Sequence, residues 1–213
     1  MTTRTFMLAC TLALAASPAA AQEVDVTANV GWVSTYIYRG IPQKTSSASA
    51  GLDLVAGPLS LGTWAADVGD GNEIDAYGRF SFAAGDFNVA VGGTAYFYTG
   101  DFDNTYLEGN VEAAYGPVSL AFAYGTHDVD PSAEYWFLGL TGAHKGFSLT
   151  AGRFAYDDDD ASSGNFGQLS YDFSLPDLLD VSVAWVVSDD VLSGLDRVDH
   201  TLVLGLSKTF TLR

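Results

Sequence analysis

The chain has 213 residues, 48% of them hydrophobic, with 26 acidic against 9 basic side chains and a formal net charge of -17. Such acidity repels phosphate backbones and excludes a nucleic-acid partner, while 13% aromatic residues and the large apolar fraction exclude a chain kept unfolded by its own charge. With 23 glycines, 24 Tyr and Phe together and a single cysteine, the composition points to one β-rich domain.

The first segment reads as an address. Arg4 precedes an apolar run from Phe6 to Ala16, and small residues at Ala19 and Ala21 complete a secretory signal expected to be cleaved after Ala21. Cys10 lies inside that run, too early for a lipoprotein cleavage site, and reads as an ordinary member of it. Residues 22–213 then hold no cysteine, and nowhere after Gln22 is there a stretch of 18 apolar residues, so a helical membrane span is excluded.

From Val24 to Tyr38 hydrophobicity alternates with period two. Val24, Val26, Ala28, Val30, Trp32, Ser34, Tyr36 and Tyr38 share one face, and Asp25, Thr27, Asn29 and Arg39 lie on the other. The pattern returns in Ile74, Ala76, Phe80 and Phe82 against Asp75, Tyr77, Arg79 and Ser81, and in Leu107, Val111, Ala113 and Tyr115 against Glu108, Asn110 and Glu112. Further runs cover 118–126, 136–142, 181–187 and 198–212. Phe147, Leu149 and Ala151 share a face that Phe154 and Tyr156 leave, which implies either a bulge near Arg153 or a misread register.

Two kinds of connection alternate. Tight turns at Gly57-Pro58, Gly85-Asp86, Gly116-Pro117, Lys145-Gly146 and Pro176-Asp177 recur at intervals of about 30 residues. Longer acidic connections are expected at 40–46, 67–73, 99–105, 127–134, 157–164 and 188–196. Five turns and six loops make twelve strands, with both termini on the turn side. This is the plan of an all-β, up-and-down antiparallel transmembrane barrel of outer-membrane type, in which closure satisfies every backbone donor. Aromatic girdles are expected from Tyr36, Tyr38, Tyr96, Phe97 and Tyr98 on the loop side and from Phe87, Tyr115 and Phe147 on the turn side. The rival is a soluble barrel with its faces inverted; scarce lysine and systematic loop asymmetry favour the membrane form.

The segment Ser34-Thr35-Tyr36-Ile37-Tyr38-Arg39-Gly40 resembles the Ser-x-Tyr-x-x-Arg-Gly signature at the end of the first strand of the TorF family of porins, with Ser34, Tyr36, Arg39 and Gly40 matching. Pro42 stands where that family often has Ser. The resemblance implies an outer-membrane barrel of a Gram-negative bacterium with a channel role. The segment from Gly205 to Phe210 likewise resembles the terminal signal read by the barrel-insertion machinery, although Thr211, Leu212 and Arg213 follow the phenylalanine.

On the polar face, Asp25, Arg39, Asp53, Asp75, Arg79, Glu108 and Glu112 are the candidate charged lining of a lumen, with Thr27, Asn29, Tyr77, Tyr106 and Asn110 as neutral lining. Acidic rings favour cations. The opposing possibility is that Arg39 and Arg79 pair with the acids and close the lumen, since buried charges are normally paired. Asp157, Asp158, Asp159 and Asp160 form a carboxylate run that reads as a solvated loop, with Ca²⁺ binding or divalent bridging to lipopolysaccharide as the weaker alternative. His127, His144 and His200 have no His-x-Ser partner, and Asp199 beside His200 points to the opposite face of a strand, so no catalytic site, cofactor or Cys/His metal site is expected. Two functions remain: a passive channel with cation bias for ions or small hydrophilic solutes, and a closed barrel acting structurally or in adhesion through its acidic loops.

Overall fold

The computed structural model describes residues 23–128, 134–156 and 163–213. The expected signal segment and the carboxylate run Asp157 to Asp160 lie outside the described residues. Twelve strands follow in chain order: β1 (Val24–Tyr38), β2 (Ile41–Ala56), β3 (Leu59–Gly69), β4 (Gly71–Ala84), β5 (Phe87–Tyr98), β6 (Tyr106–Tyr115), β7 (Val118–His127), β8 (Glu134–His144), β9 (Phe147–Tyr156), β10 (Gly164–Leu175), β11 (Leu179–Ser188) and β12 (Asp199–Thr211). Each pairs antiparallel with its sequence neighbours, and β1 closes the barrel on β12. The last residues keep pairing past β12: Leu212 N–H donates to the Val26 carbonyl at 2.8 Å, and Val26 N–H to that of Arg213 at 3.0 Å.

Period two sets the two faces. Leu107, Val111 and Tyr115 on β6 stand beside Val118, Leu120 and Phe122 on β7 and Leu138 and Leu140 on β8, all exposed on the outside, and the register carries this apolar face round the barrel. Leu149 is 62% exposed and Leu202 69%. A continuous surface of this kind has no stable neighbour in water. A strand of 10 residues such as β6, rising about 3.3 Å per residue and tilted about 40°, spans about 25 Å, the height of the apolar band of outer-membrane barrels.

Three sequence expectations change. The connections at 40–46 and 67–73 are not loops: β2 already starts at Ile41, with only Arg39-Gly40 between it and β1, and β3 passes to β4 through Asp70 alone. Local polarity there reflects strands that rise beyond the apolar band. No bulge occurs at Arg153, where pairing with β8 and β10 is unbroken; Phe154 points inward because it belongs to the interior. Irregularities lie instead in the first hairpin, where the ladder omits Ser34 opposite Ser46 and shifts between Tyr36 and Ile37, and between Asp67 and Gly69 at the tip of the β3–β4 hairpin.

The irregularity in the first hairpin removes Tyr36 and Tyr38 from the expected loop-side girdle. Trp32 still faces outward, but beyond it the hairpin tip turns into the barrel, and Tyr36 and Tyr38 find interior partners on β4 and β5. Tyr96 and Tyr98 also face inward, leaving Phe97 as the one outward member of the expected set. On the turn side Phe87, Tyr115 and Phe147 do face outward, with Phe87 and Tyr115 rings 5.3 Å apart. Between β11 and β12 a single helical turn, α1 (Asp190–Ser193), is capped by Asp189 and lays Leu192 against the hairpin tip.

Candidate functional site: the first hairpin inside the barrel mouth

The tip of the β1–β2 hairpin is built to bend inward. Pairing of β1 with β12 ends at Val33 opposite Gly205, and there the Ser34 hydroxyl oxygen accepts the Leu204 N–H at 2.9 Å in place of a backbone carbonyl. Ser46, across the hairpin, adopts the left-handed backbone at φ 59°. The turn itself has Arg39 at φ 49° and Gly40 at φ 86°, the double positive pair of a type I′ turn. Gly40 is required twice over: a side chain there would collide with Phe166 and Leu192. Its carbonyl accepts the Ser188 hydroxyl at 2.6 Å. Holding a non-glycine residue such as Arg39 in the left-handed region costs about 1–2 kcal/mol, so its partners must outweigh the strain.

Those partners lie across the interior. Arg39 donates two parallel hydrogen bonds to Glu108 on β6, at 2.6 and 2.8 Å. The same carboxylate accepts the Tyr135 hydroxyl at 3.2 Å and the Tyr96 hydroxyl at 3.4 Å, and its side chain is 1% exposed. The guanidinium carbon stands 4.4 Å from the centre of the Phe137 ring and 4.8 Å from that of Tyr38. Above this pair Tyr36 donates to Glu73 at 2.8 Å and Tyr98 to its other oxygen at 3.2 Å, while Tyr98 and Tyr106 share a bond of 2.8 Å. Tyr106 stacks on Tyr96 with centroids 4.6 Å apart, and Tyr135 stacks on Phe154 at 5.2 Å. Glycines make room for these rings: a Cβ on Gly125 would fall within the Tyr135 ring, and one on Gly152 against Phe166.

Every candidate named on the polar strand faces points inward. Asp53 accepts the Tyr77 hydroxyl at 2.5 Å and the Asn29 amide at 3.2 Å. Thr27 pairs with Asp53 across the β1–β2 ladder, and Asp25 stands exposed two residues nearer the turn-side rim. Arg79 and Glu112 meet at 2.6 Å with side chains 44% and 38% exposed, and Asn110 donates to Thr94 at 3.4 Å. Asp75 is buried, and its Oδ1 has no hydrogen-bond partner among the described residues. The sequence pattern misses Glu73, Tyr135 and Phe137 and sets Tyr96 and Tyr98 in the outward girdle. Extending the β4 alternation back by two residues adds Glu73; the others sit beside outward residues at the same period, but only the inward hairpin makes them a cluster.

Within the strands the inner face carries Asp25, Asp53, Glu73, Asp75, Glu108, Glu112, Asp172, Asp180 and Asp199 against Arg79, and the β1–β2 turn adds Arg39. Three cavities adjoin the hairpin. One of about 260 Å³ is lined by Arg39, Tyr77, Arg79, Glu108, Asn110 and Glu112. Another, of about 290 Å³, runs past Thr35 along Gln168, Ser170, Asp172 and Ser182 on the opposite wall. The third, of about 200 Å³, lies under Tyr38, Gln43, Asp103, Tyr106 and His127 toward the loops. His200 faces outward, stacked on Trp185, away from Asp199, and among the described residues no group of three His, Cys, Asp or Glu is placed to hold a metal.

The family model for "Bacterial protein of unknown function (Gcw_chp)" matches residues 15–130, which include β1 to β7 and the hairpin. A search of the curated proteins finds no match. Among solved structures, the KdgM porin superposes with a TM-score of 0.57 at 7% identity, covering 87% of this chain and 99% of that one. The NanC porin gives 0.56 at 10% identity, covering 85% and 98%. A chain from work on in-meso crystallisation of membrane proteins gives 0.61 at 9% identity, covering 88% and 84%. At these identities the likeness is one of fold: a closed twelve-stranded antiparallel barrel shared with porins. By its sequence the chain belongs to the Gcw_chp family of bacterial proteins.

Proposed function

We propose that the protein is an outer-membrane channel of a Gram-negative bacterium, passing ions or small hydrophilic solutes down their gradient without a covalent step, with a bias toward cations. The observation that carries this reading is the barrel's inversion: apolar side chains outside, and inside a polar wall with cavities on both sides of a hairpin that narrows the mouth. Acids outnumber bases on that wall, so its field attracts cations and repels anions. The KdgM porin has been captured with oligogalacturonate, a polyanion; an interior this acidic argues for a different solute class here.

Several finer assignments accompany the reading. Residues 1–21 are taken as a cleaved export signal and 22–213 as the barrel, with bilayer lipid and lipopolysaccharide as its surroundings. Gly205 and Phe210 are taken as part of the signal for the insertion machinery; Phe210 is exposed on the outer face, where such a signal is readable. Affiliation with TorF-type porins rests on Ser34, Tyr36, Arg39 and Gly40, each of which has a part in turning the hairpin inward.

One observation favours a second reading, a barrel closed in its lumen with a structural or adhesive role: Arg39, Glu108 and five tyrosines fill the mouth between them. Single-channel recording of the refolded protein under a salt gradient separates the two. Discrete steps with a cation-biased reversal potential support the channel, and silence from protein shown to be folded and inserted supports the closed barrel.

A further inference from the structure

The Arg39 cage is asymmetric. Glu108, Tyr96, Tyr135 and Phe137 all belong to the barrel wall, whereas the cation arrives on the hairpin tip in a strained backbone conformation. A pair that merely closed the lumen would need one opposite charge. Here the wall supplies a fork-to-fork carboxylate oriented by two tyrosine hydroxyls, an aromatic face over the guanidinium plane, and on β4 a second, buried carboxylate, Asp75, whose Oδ1 has no partner among the described residues. The cavity of about 260 Å³ opens directly onto Glu108. A planar cation with donors in a fork matches the Glu108 carboxylate and the Phe137 face.

We propose that the wall around Glu108 is a binding site for solutes carrying a guanidinium or amidinium head group, and that Arg39 is its resident occupant at rest. Solute and hairpin compete for Glu108, so a bound solute displaces the tip from the wall and takes its place in the lumen. This deepens the channel reading and rests on it for the solute's passage, but the site itself can be tested without any current.

The experiment uses the mature chain refolded as wild type, Arg39→Ala and the double variant Arg39→Ala with Glu108→Gln, with guanidinium chloride at low millimolar concentration as the probe. Urea serves as the neutral isostere and sodium chloride as the ionic control. In planar bilayers guanidinium is expected to block the Arg39→Ala channel saturably where urea and sodium do not, and the double variant is expected to lose the block. Wild type should require about tenfold more guanidinium, because a site occupied by its own arginine is only fractionally available. In detergent, the probe should raise the thermal unfolding midpoint of Arg39→Ala and leave that of the double variant unchanged. If Arg39→Ala does not fold, Arg39→Gln takes its place. Conducting variants with neither block nor thermal shift overturn the binding site and leave the channel intact. A thermal shift confined to the single variant, in protein that never conducts, supports the site and sinks the channel. Folded protein that neither conducts nor shows a thermal shift overturns both.

Discussion

Replacing Glu108 by Gln removes the charge on which the hairpin tip depends. The carboxylate accepts four hydrogen bonds, two from Arg39 and one each from Tyr96 and Tyr135, and an amide in its place turns a donor toward donors. Breaking a buried ion pair costs about 3–5 kcal/mol; with Arg39 still 16% exposed the lower end applies, about 3 kcal/mol. At 1.4 kcal/mol per factor of ten, the balance between the inward and withdrawn hairpin shifts by about 100-fold toward withdrawal. Strain at Arg39 is released at the same time and adds to the shift. Because the tip can leave, overall stability should fall by less than the full cost of the pair. Single-channel recording is the assay: Glu108→Gln is expected to show a higher open probability and a larger conductance than wild type. In a double-mutant cycle with Arg39→Gln the two changes should be far from additive, since both remove the same latch. Traces of Glu108→Gln indistinguishable from wild type would refute the reasoning, because they would mean that the pair does not hold the tip.

Gly125→Ala should lower stability by about 1–3 kcal/mol in urea titrations, since the added methyl would fall within the Tyr135 ring, whereas Gly109→Ala, with open space at its Cβ, should be close to neutral. Arg79→Ala breaks a half-exposed pair and should change stability by less than about 1 kcal/mol, yet it removes one of the two inner arginines among the described residues, so the reversal potential should move toward stronger cation preference. Val111→Arg on the outer face near the middle of β6 should cost about 2–4 kcal/mol in lipid vesicles, while Asn110→Arg, one residue away on the inner face, should alter current with little loss of stability. Phe210→Ala should slow insertion into vesicles in the presence of the insertion machinery while leaving spontaneous refolding in detergent unaffected.

The barrel was legible because its information is local. Alternation from Val24 to Tyr38 and turns such as Gly116-Pro117 repeat the same two signals round the circumference, and each strand needs only its neighbours to pair. The inner residues Asp53, Asp75 and Glu108 follow from the same period. What period two could not convey is the point where it is broken on purpose. Tyr36 and Tyr38 continue the outward parity of Trp32 in sequence, and only the lapse in the ladder at Ser34 and Ser46 reverses them. The partners that reward this reversal, Glu73, Tyr96 and Glu108, lie 37 to 69 residues further along the chain. No window on the sequence spans that distance. Phe154 misleads for a related reason: its side chain belongs to the interior cluster, so apparent irregularity on β9 was correct parity read against the wrong face.

The way β1 leaves its neighbour at Val33 has a mechanical meaning. Beyond that point the hairpin is a cantilever: rooted in the wall by long ladders below, free of β12 on one side, and tethered by Arg39, by Tyr36 to Glu73, by Tyr38 to Tyr96, by Lys44 to Asp67 and by the bond from Ser188 to Gly40. A beam of two paired strands is stiff along its length and pliable at its root, so it swings as one body instead of melting residue by residue. The two strands carry their own hydrogen bonds with them, and the swing therefore leaves no backbone group stranded. Movement of this sort belongs to the microsecond to millisecond range of hinge motions. The deflection of such a lever, rather than the width of the barrel, would set how wide the mouth opens.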